Sequence, residues 1–491
     1  VEPHGADLSF AFERAAMTPP ITLDSLAELD MARIINNPKL RHDVNFDRDL
    51  HFRPNREGSK GRSKLRAAEQ YWLALEAEFF VYAYAAERLS RHPLSERPAY
   101  WVRMLSIGQR RLPPMLVVIR DVLLTLVPDH EQATIAARLD VDLIMKQITN
   151  GVCDLVGLGN WLANLLKAHC APMRDEHVDA MRDDLVAGAT LARPDRLVAG
   201  LRRLLVCLEN MKLDVANHQV RHMRLLLVND TLHFQRRYHA HRIALGKFDL
   251  CRARAWFAGQ LTKFGSSPRN ALVAALLNHV RTDDPAGCPP SFYLDEDRLG
   301  GVRAQLRRVV GLAALRALVS ELGRGHLSPA DLAQAQEALV ASALVIVGSH
   351  GRFIDCVENI AVEVVRMLCT ASGSTPTFAG AQLAMIETRL RRALDPASAE
   401  FDARSRAICA QLRLRLNASV ERHINMSALQ LHNTLLPPQP QPTGRPPVGF
   451  GAQCAPPPAP SVPQDAQEHI VRQMTHVLCL NWHIWADLIY L

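Results

Sequence analysis

The feature that most constrains this chain is a helical spacing of apolar residues that recurs along nearly its whole length. Apolar side chains three, four and seven positions apart lie on one side of an α-helix. The segment 63–90 places five such side chains on one face: Leu65, Trp72, Leu75, Phe79 and Tyr82. No segment shows the two-residue alternation of a half-buried strand, so no Asn-Gly pair stands between two strand-like segments as a hairpin turn would. The sequence therefore predicts an all-α fold, a multi-helix bundle or array.

Breaks in this spacing, many of them at proline, predict the individual helices. We expect helices at about 23–34, 63–90, 115–127, 140–168, 172–191, two or three within 194–245, and then 299–322, 328–348, 381–394 and 397–431. Residues 1–38 form an N-terminal segment with a short helix, and residues 63–436 form the main helical domain.

The C-terminal part of the chain differs in composition. Residues 437–465 hold 11 of the 30 prolines and predict a disordered linker. Residues 466–491 predict an apolar helix with Trp482 and Trp485 three positions apart. Because two exposed indoles would form a large apolar patch, we expect this helix to dock onto the helical body.

A basic segment follows the first short helix. Residues 39–66 hold nine Lys or Arg against four Asp or Glu, a surplus of five within a chain whose net charge is +7. Elsewhere charges of both signs alternate, as on solvated helix faces. We expect residues 39–62 to form an extended basic arm, with these cations as its contacts: Lys39, Arg41, Arg48, Arg53 and Arg56. An alternative function is binding of a phosphate-rich ligand, nucleic acid or phosphoinositide, through the arm. Nucleic acid is disfavoured as its partner, because the arm offers only Phe46 and Phe52 for stacking and its four acids dilute the field.

Catalytic and metal-binding signatures are absent from the sequence. There is no phosphate-binding loop, nucleophile elbow or kinase element, and Gly157-Leu158-Gly159 lacks the strand that should precede a dinucleotide-binding loop. His218 and His222 stand four apart, but Gln219 occupies the position where a zinc protease has Glu. We expect no cofactor, no metal and no catalytic residue, with an enzyme of an unrecognised helical class left as an alternative.

Cysteine usage and hydropathy bear on location. The ten Cys include no CxxC pair and indicate reduced thiols. The longest apolar stretch, 115–127, is too short to span a bilayer and no secretory signal is visible, although the chain opens with Val1. These patterns predict a cytoplasmic or nuclear protein without a transmembrane segment.

Two polar segments stand out from the apolar pattern. Asp214, Asn217, His218 and Arg221 occupy one helical face, either as its solvated side, which the pattern alone favours, or as a hydrogen-bonded network at a helix crossing or partner surface. In the run 170–176, Pro172 ends one helix, and two acidic residues then lie in the first turn of the next. We predict that the turn carrying Arg174 meets the face carrying Asp214.

These segments carry a resemblance to a known family. The run Cys170-Ala171-Pro172-Met173-Arg174-Asp175-Glu176 resembles the "CAP-x-RDE" turn of the T-complex protein 11 family, and 211–219 resembles its "KLDxAN" motif. The run 34–47, continuing to 52–55, resembles the fungal branch of that family. The resemblance covers residues 34–431.

The resemblance implies a helical regulator that is not an enzyme. Members are linked to cyclic-AMP-dependent protein kinase signalling; a yeast member can relieve loss of that kinase, and mammalian members act in sperm function. Proteins of that pathway are the expected partners, bound through helical grooves, the basic arm or the family motifs. The motif residues expected to bind a partner are Cys170, Pro172, Arg174, Asp175, Glu176, Lys212, Asp214, Asn217, His218 and Arg221.

Overall fold

The structure is a computed structural model that describes residues 12–53, 58–92, 99–265, 267–282, 287–348, 351–373, 380–436 and 463–491. Every regular element within these ranges is a helix, so the predicted all-α fold is confirmed. Backbone contacts divide the chain into two compact units: the first comprises residues 1–37 and 49–224, and the second comprises 38–48 and 225–491.

The first unit is an array of helices around one apolar core. Its helices are Leu23–Leu26, Met31–Asn36, Gly58–Ser90, Ala99–Gly108, Leu112–Leu124, Asp129–Arg138, Val141–Asn150, Leu155–His169, Asp175–Thr190 and Pro194–Asn229 up to residue 224. Tyr71, Leu75, Met115 and Leu204 are fully buried in the core. The inward face predicted for residues 63–90 is thus largely confirmed, although Leu65 is exposed.

A buried carboxylate starts one of these helices. Glu78 is fully buried, and its two oxygens accept hydrogen bonds from the backbone N–H groups of residues 110, 111 and 112, at 3.1, 2.8 and 3.1 Å. These N–H groups lie at the N-terminal end of Leu112–Leu124, where a helix has no internal acceptors for them. Tyr82 also donates to Glu78. The carboxylate therefore replaces the missing acceptors and favours the positive end of the helix dipole.

A close helical hairpin positions the two family motifs. The helices Asp175–Thr190 and Pro194–Asn229 are joined by a short turn. A Cβ on Gly188 would lie 2.6 Å from the backbone nitrogen of Leu197, and a Cβ on Gly200 would lie 2.6 Å from the Leu185 side chain. Only glycine permits this approach. Because the two helices run antiparallel, the start of Asp175–Thr190 lies beside the middle of Pro194–Asn229.

The second unit is also helical. Its helices are Pro38–Asp43, Thr231–Ala244, Leu250–Phe264, Pro268–Arg281, Glu296–Gly323, Pro329–Val347, Val357–Ala371, Gly380–Leu394, Ala399–His423, Ala428–Leu435 and Pro463–Trp485, followed by a π-helical turn at Ala486–Tyr490. Three of these helices are not among those predicted from apolar spacing: Leu250–Phe264, Pro268–Arg281 and Val357–Ala371.

The C-terminal helix, Pro463–Trp485, docks as predicted. It packs against Ala399–His423 and Glu296–Gly323, and Trp485 is fully buried with its ring centroid 4.7 Å from that of Phe248. Arg236 and Arg254 donate to the carbonyls of His483 and Leu488, at 3.0 and 2.7 Å, and so satisfy acceptors that the helix end leaves open. The predicted linker lies outside the described residues except for 463–465, which begin this helix.

Two predicted helices are each divided in the structure. The segment 140–168 forms Val141–Asn150 and Leu155–His169, because Gly151 adopts a left-handed φ of +71° that ends the first helix. The segment 397–431 ends its first helix at His423, and a capping box at Ser427 starts Ala428–Leu435. Apolar spacing continues across both breaks, which explains why it misled the prediction.

One helix qualifies the expectation that nothing here spans a membrane. Of the described helices, only Pro329–Val347 is long and apolar enough to cross a bilayer. Asp331 and Glu337 interrupt the apolar residues of this helix, so it contains no long uninterrupted apolar run. Core helices of soluble proteins meet the same criterion; Leu339 and Ala343 are fully buried within the unit, but only 28% of the apolar window of this helix is buried.

Candidate functional site

The candidate site lies in the first unit, where the helix Pro194–Asn229 carries the second motif. Leu208, Met211, Ala216 and Val220 of this helix are buried. The predicted polar residues fall on the remaining side, because three- and four-residue steps return to the same face of a helix. The helix therefore presents a continuous polar face from residue 214 to residue 221.

The first motif forms a capped turn between two helices, as predicted. The helix Leu155–His169 ends at Cys170, whose backbone is extended, and Pro172–Arg174 form one 3₁₀ turn. The next helix begins at Asp175, so Asp175 and Glu176 occupy its first turn. The Cys170 thiol lies 3.8 Å from an Asp175 oxygen. Burial raises the pKa of Cys170 above its usual value, so this thiol is not activated as a nucleophile.

Arg174 and Asp214 join the two motifs. Arg174 Nε donates to Asp214 Oδ2 at 3.1 Å, and Arg174 Nη2 donates to Asp214 Oδ1 at 3.0 Å. The pair is bidentate, which fixes the orientation of both groups as well as their distance. The predicted contact is confirmed, and the network interpretation of the polar face holds for Asp214.

Asn217 holds a distant piece of backbone. Its side-chain oxygen accepts from the Phe52 N–H at 2.6 Å, and its side-chain nitrogen donates to the Phe52 carbonyl at 3.1 Å. Arg224 Nη2, two turns further along the helix, donates to the Leu50 carbonyl at 3.2 Å. The side chain of Asn217 therefore pairs with Phe52 as a neighbouring strand would. Sequence reasoning missed this role, because nothing in local spacing links positions 165 residues apart.

Lys212 has an internal partner too. The side chain of Lys212 is mostly buried, and its Nζ lies 3.3 Å from Asp30 Oδ1. Lys212, Asp214 and Asn217 thus bind three separate segments of the first unit. Their observed role is structural, and a role in binding a partner stays a prediction for them.

The other motif residues face solvent. Pro172, Glu176, His218 and Arg221 are exposed. The rings of His218 and His222 lie 4.1 Å apart, but no cluster of three or more His, Cys, Asp or Glu within the described ranges is arranged to hold a metal ion. The exposed motif residues are therefore available for contact with another molecule.

The predicted basic arm needs correction. Residues 38–43 form a helix, because Pro38 supplies the fixed φ of a first helical position, and residues from 58 onward belong to the helix Gly58–Ser90. In the second unit, the buried Arg41 pairs with Asp230 and lies over the ring of Phe234 at 4.5 Å.

Two of the remaining arm cations have partners inside the fold. Lys39 donates to the Leu294 carbonyl at 2.8 Å, and Arg48 donates to the Asn433 carbonyl at 3.2 Å. Arg53 is exposed, and Arg56 lies outside the described residues. Lys39, Arg41 and Arg48 stabilise the second unit and do not form a free basic surface.

Comparison with known proteins identifies the family. The family model for T-complex protein 11 matches residues 40–491. This chain belongs to the T-complex protein 11 family. Over 318 residues it is 34% identical to Protein SOK1 of Saccharomyces cerevisiae, a match that covers 62% of this chain and 34% of the yeast protein. The human T-complex protein 11-like X-linked proteins 1 and 2 are each 29% identical over 97 residues, which cover 20% of this chain and 17% of either relative.

No solved structure matches the chain. The chain spans about a third of the length of the yeast relative that it matches. The match to the family model and the identity to the yeast protein confirm the resemblance drawn from the two motifs and from residues 34–55.

Proposed function

We propose that this chain is a non-enzymatic interaction protein of cyclic-AMP-dependent protein kinase signalling, which acts in the cytoplasm or nucleus by binding a protein of that pathway. Membership of the T-complex protein 11 family supports the proposal. The observation that carries the proposal is that the motif residues have two different roles. Arg174, Asp214 and Asn217 form hydrogen bonds that hold the polar face in place. His218 and Arg221 are exposed on that face.

A fixed face of this kind suits binding. The exposed side chains stand on a helix that is held at both motifs, so little of that backbone has to become ordered when a partner arrives. Arg is also among the residues that contribute most to binding at protein interfaces. An enzyme of an unrecognised helical class would need these side chains gathered in a pocket, and the exposure of His218 and Arg221 disfavours that alternative.

The proposal is tested by direct binding. The full chain is immobilised, and the regulatory subunit, the catalytic subunit and the holoenzyme of the kinase are passed over it with and without cyclic AMP. We expect one of these forms to bind, and Arg221→Glu to weaken binding at least roughly tenfold, because the change reverses a charge at the contact.

A matched control is available in the same unit. Lys146 is an exposed cation of the helix Val141–Asn150, and Lys146→Glu makes the same change of charge away from the motifs. It should leave binding unchanged. Absence of binding to every form of the kinase would refute the proposal, and so would equal weakening by the two variants.

The chain is proposed as a partner of the kinase and not as its substrate. Such kinases prefer two basic residues, one spacer and then Ser or Thr, and the Arg-Arg pairs beginning at 110, 202, 236, 307 and 391 all lack the acceptor. Incubation of the purified chain with the catalytic subunit and labelled ATP should give little incorporation, and stoichiometric phosphorylation would contradict this part of the proposal.

A further inference from the structure

A cavity in the second unit is lined by no residue of either motif and has no role in the function proposed above. Its volume is about 280 Å³ and it opens to solvent. It is built on the loop 245–249, which joins the helices Thr231–Ala244 and Leu250–Phe264. Eight residues line it: Arg242, Lys247, Phe248, Asp249, Arg252, Cys288, Pro290 and Tyr293. Its size suits a small ligand or the headgroup of a larger one.

The charge around this cavity is strongly positive. Residues 236–254 hold six Lys or Arg against one acidic residue, a surplus of five in 19 positions. This surplus equals that of residues 39–66, so the chain has a second basic segment. Three of its cations line the cavity itself: Arg242, Lys247 and Arg252.

These three cations are not neutralised by the fold. In the part of the chain that the structure describes, none of them forms an ion pair with a carboxylate. The one acidic residue in the lining, Asp249, accepts a hydrogen bond from the Arg252 backbone N–H at 2.8 Å and so caps the helix Leu250–Phe264. Asp249 is therefore engaged with the helix terminus, and the lining retains a net charge of about +2 that an anion would balance.

The loop is held in place. Gly246 adopts a left-handed φ of +65°, the Lys247 N–H donates to the Arg242 carbonyl at 2.9 Å, and Arg242 Nη2 donates to the Lys247 carbonyl at 2.9 Å. The Arg242 guanidinium also lies over the Tyr293 ring, 4.9 Å from its centroid. Arg242 is thereby fixed in the cavity lining, while Lys247 and Arg252 of the lining are exposed to solvent.

A neutral donor completes the lining. The hydroxyl of Tyr293 is buried beside the side chains of Tyr238 and Arg242, but no group among the described residues completes a hydrogen bond of standard geometry with it. Burial raises the pKa of Tyr293 to about 12, so the hydroxyl keeps its proton and can donate. A buried donor of this kind is stabilised when a ligand oxygen accepts from it.

We propose that this cavity binds a phosphate-bearing small molecule or headgroup, with Arg242, Lys247 and Arg252 contacting the phosphate oxygens. A phosphate dianion matches the charge of the lining, and Arg and Lys are its usual partners in proteins. Two sources share this chemistry: a soluble phosphorylated metabolite and the headgroup of a phosphorylated lipid.

The test uses the full chain and calorimetric titration with two probes, inorganic pyrophosphate and inositol trisphosphate, at low and at physiological salt. We expect saturable binding of at least one probe, which weakens as salt is added. The double variant Lys247→Gln/Arg252→Gln should weaken it roughly 10- to 100-fold, as expected for loss of charged hydrogen bonds. Both side chains are exposed, so this variant should unfold at the same temperature as the wild-type chain.

The control lies on the same helix. Lys263→Gln removes one positive charge three turns beyond Arg252, roughly 16 Å away along the helix. It should leave the affinity unchanged. Failure of the wild-type chain to bind either probe would overturn the proposal, as would equal weakening by Lys263→Gln and by a single Arg252→Gln variant.

A second experiment distinguishes the two sources of the phosphate. Phosphatidylcholine vesicles with and without phosphatidylinositol bisphosphate are sedimented with the chain. Sedimentation that depends on the phosphorylated lipid, and that inositol trisphosphate reverses, assigns the site to a lipid headgroup. Binding of the soluble probes without sedimentation assigns it to a free metabolite.

Discussion

The contact between Arg174 and Asp214 gives the sharpest test of how the family motifs work. The two bonds of this pair, at 3.1 and 3.0 Å, join a turn to a helix 40 residues away in sequence. A double-mutant cycle with Arg174→Ala, Asp214→Ala and the combination isolates the energy of this pair from the other effects of each substitution.

The expected magnitude follows from geometry and exposure. The side chains are 24% and 36% exposed, so solvent screens the pair more than it would a buried one. Bidentate geometry makes the coupling energy of this pair larger than that of an ordinary surface pair. We therefore expect a coupling energy of about 1 kcal/mol, and a loss of about 1–2 kcal/mol in the free energy of unfolding for Asp214→Ala.

The assay is urea unfolding followed by far-ultraviolet circular dichroism at two salt concentrations. Arg352 and Asp355 supply a matched control, because they form the same bidentate contact at 2.8 and 2.9 Å. Their side chains are 75% and 52% exposed, and they lie within one segment three residues apart. We expect no measurable coupling between them, because solvent screens an exposed pair.

A coupling energy for Arg174 and Asp214 no larger than that of the control pair would refute this reasoning. The polar face would then be only the solvated side of its helix, and the conformation of the turn would depend on its own backbone. A coupling that disappears at high salt would show that charge attraction, and not bidentate geometry, provides the energy.

Three further predictions concern burial. Trp485→Ala should lower the free energy of unfolding by roughly 3–5 kcal/mol in urea titrations, because it empties a fully buried site, and an unchanged midpoint would mean that the C-terminal helix does not contribute to the fold. Glu78→Leu should cost at least about 3 kcal/mol by the same measurement, because three backbone N–H groups lose their acceptor, and a loss below 1 kcal/mol would contradict the capping role. Burial lowers the pKa of His239 and His476 to about 3 in the folded chain. Between about pH 6.5 and pH 3 these two side chains are therefore protonated in the unfolded chain but not in the folded chain. Stability should therefore fall as pH drops through this window, and His476→Phe should reduce that dependence by about 1.4 kcal/mol per pH unit; an identical slope would refute the assignment.

The sequence determined the helical class and the positions of many helices. Apolar spacing is a local property, so it predicted most of Gly58–Ser90, and the role of Pro172 as a break followed from its missing N–H. The apolar surface of the C-terminal helix also required a covering partner, which is why docking could be predicted without knowing where.

Tertiary structure decided which polar groups meet. The sequence indicated a basic arm, but Arg41 lies buried beside Asp230, because a cation that finds a carboxylate and an aromatic ring can leave water. Asn217 reaches Phe52 across 165 residues, and no local pattern encodes that contact. The positive charge near Arg242 is visible in the sequence. The cavity itself forms only because two helices and the turn at Gly246 bring these basic residues together with Tyr293. Local spacing determines secondary structure, and the pairing of distant polar groups is decided only when the chain packs, because each pairing must offset the cost of leaving water.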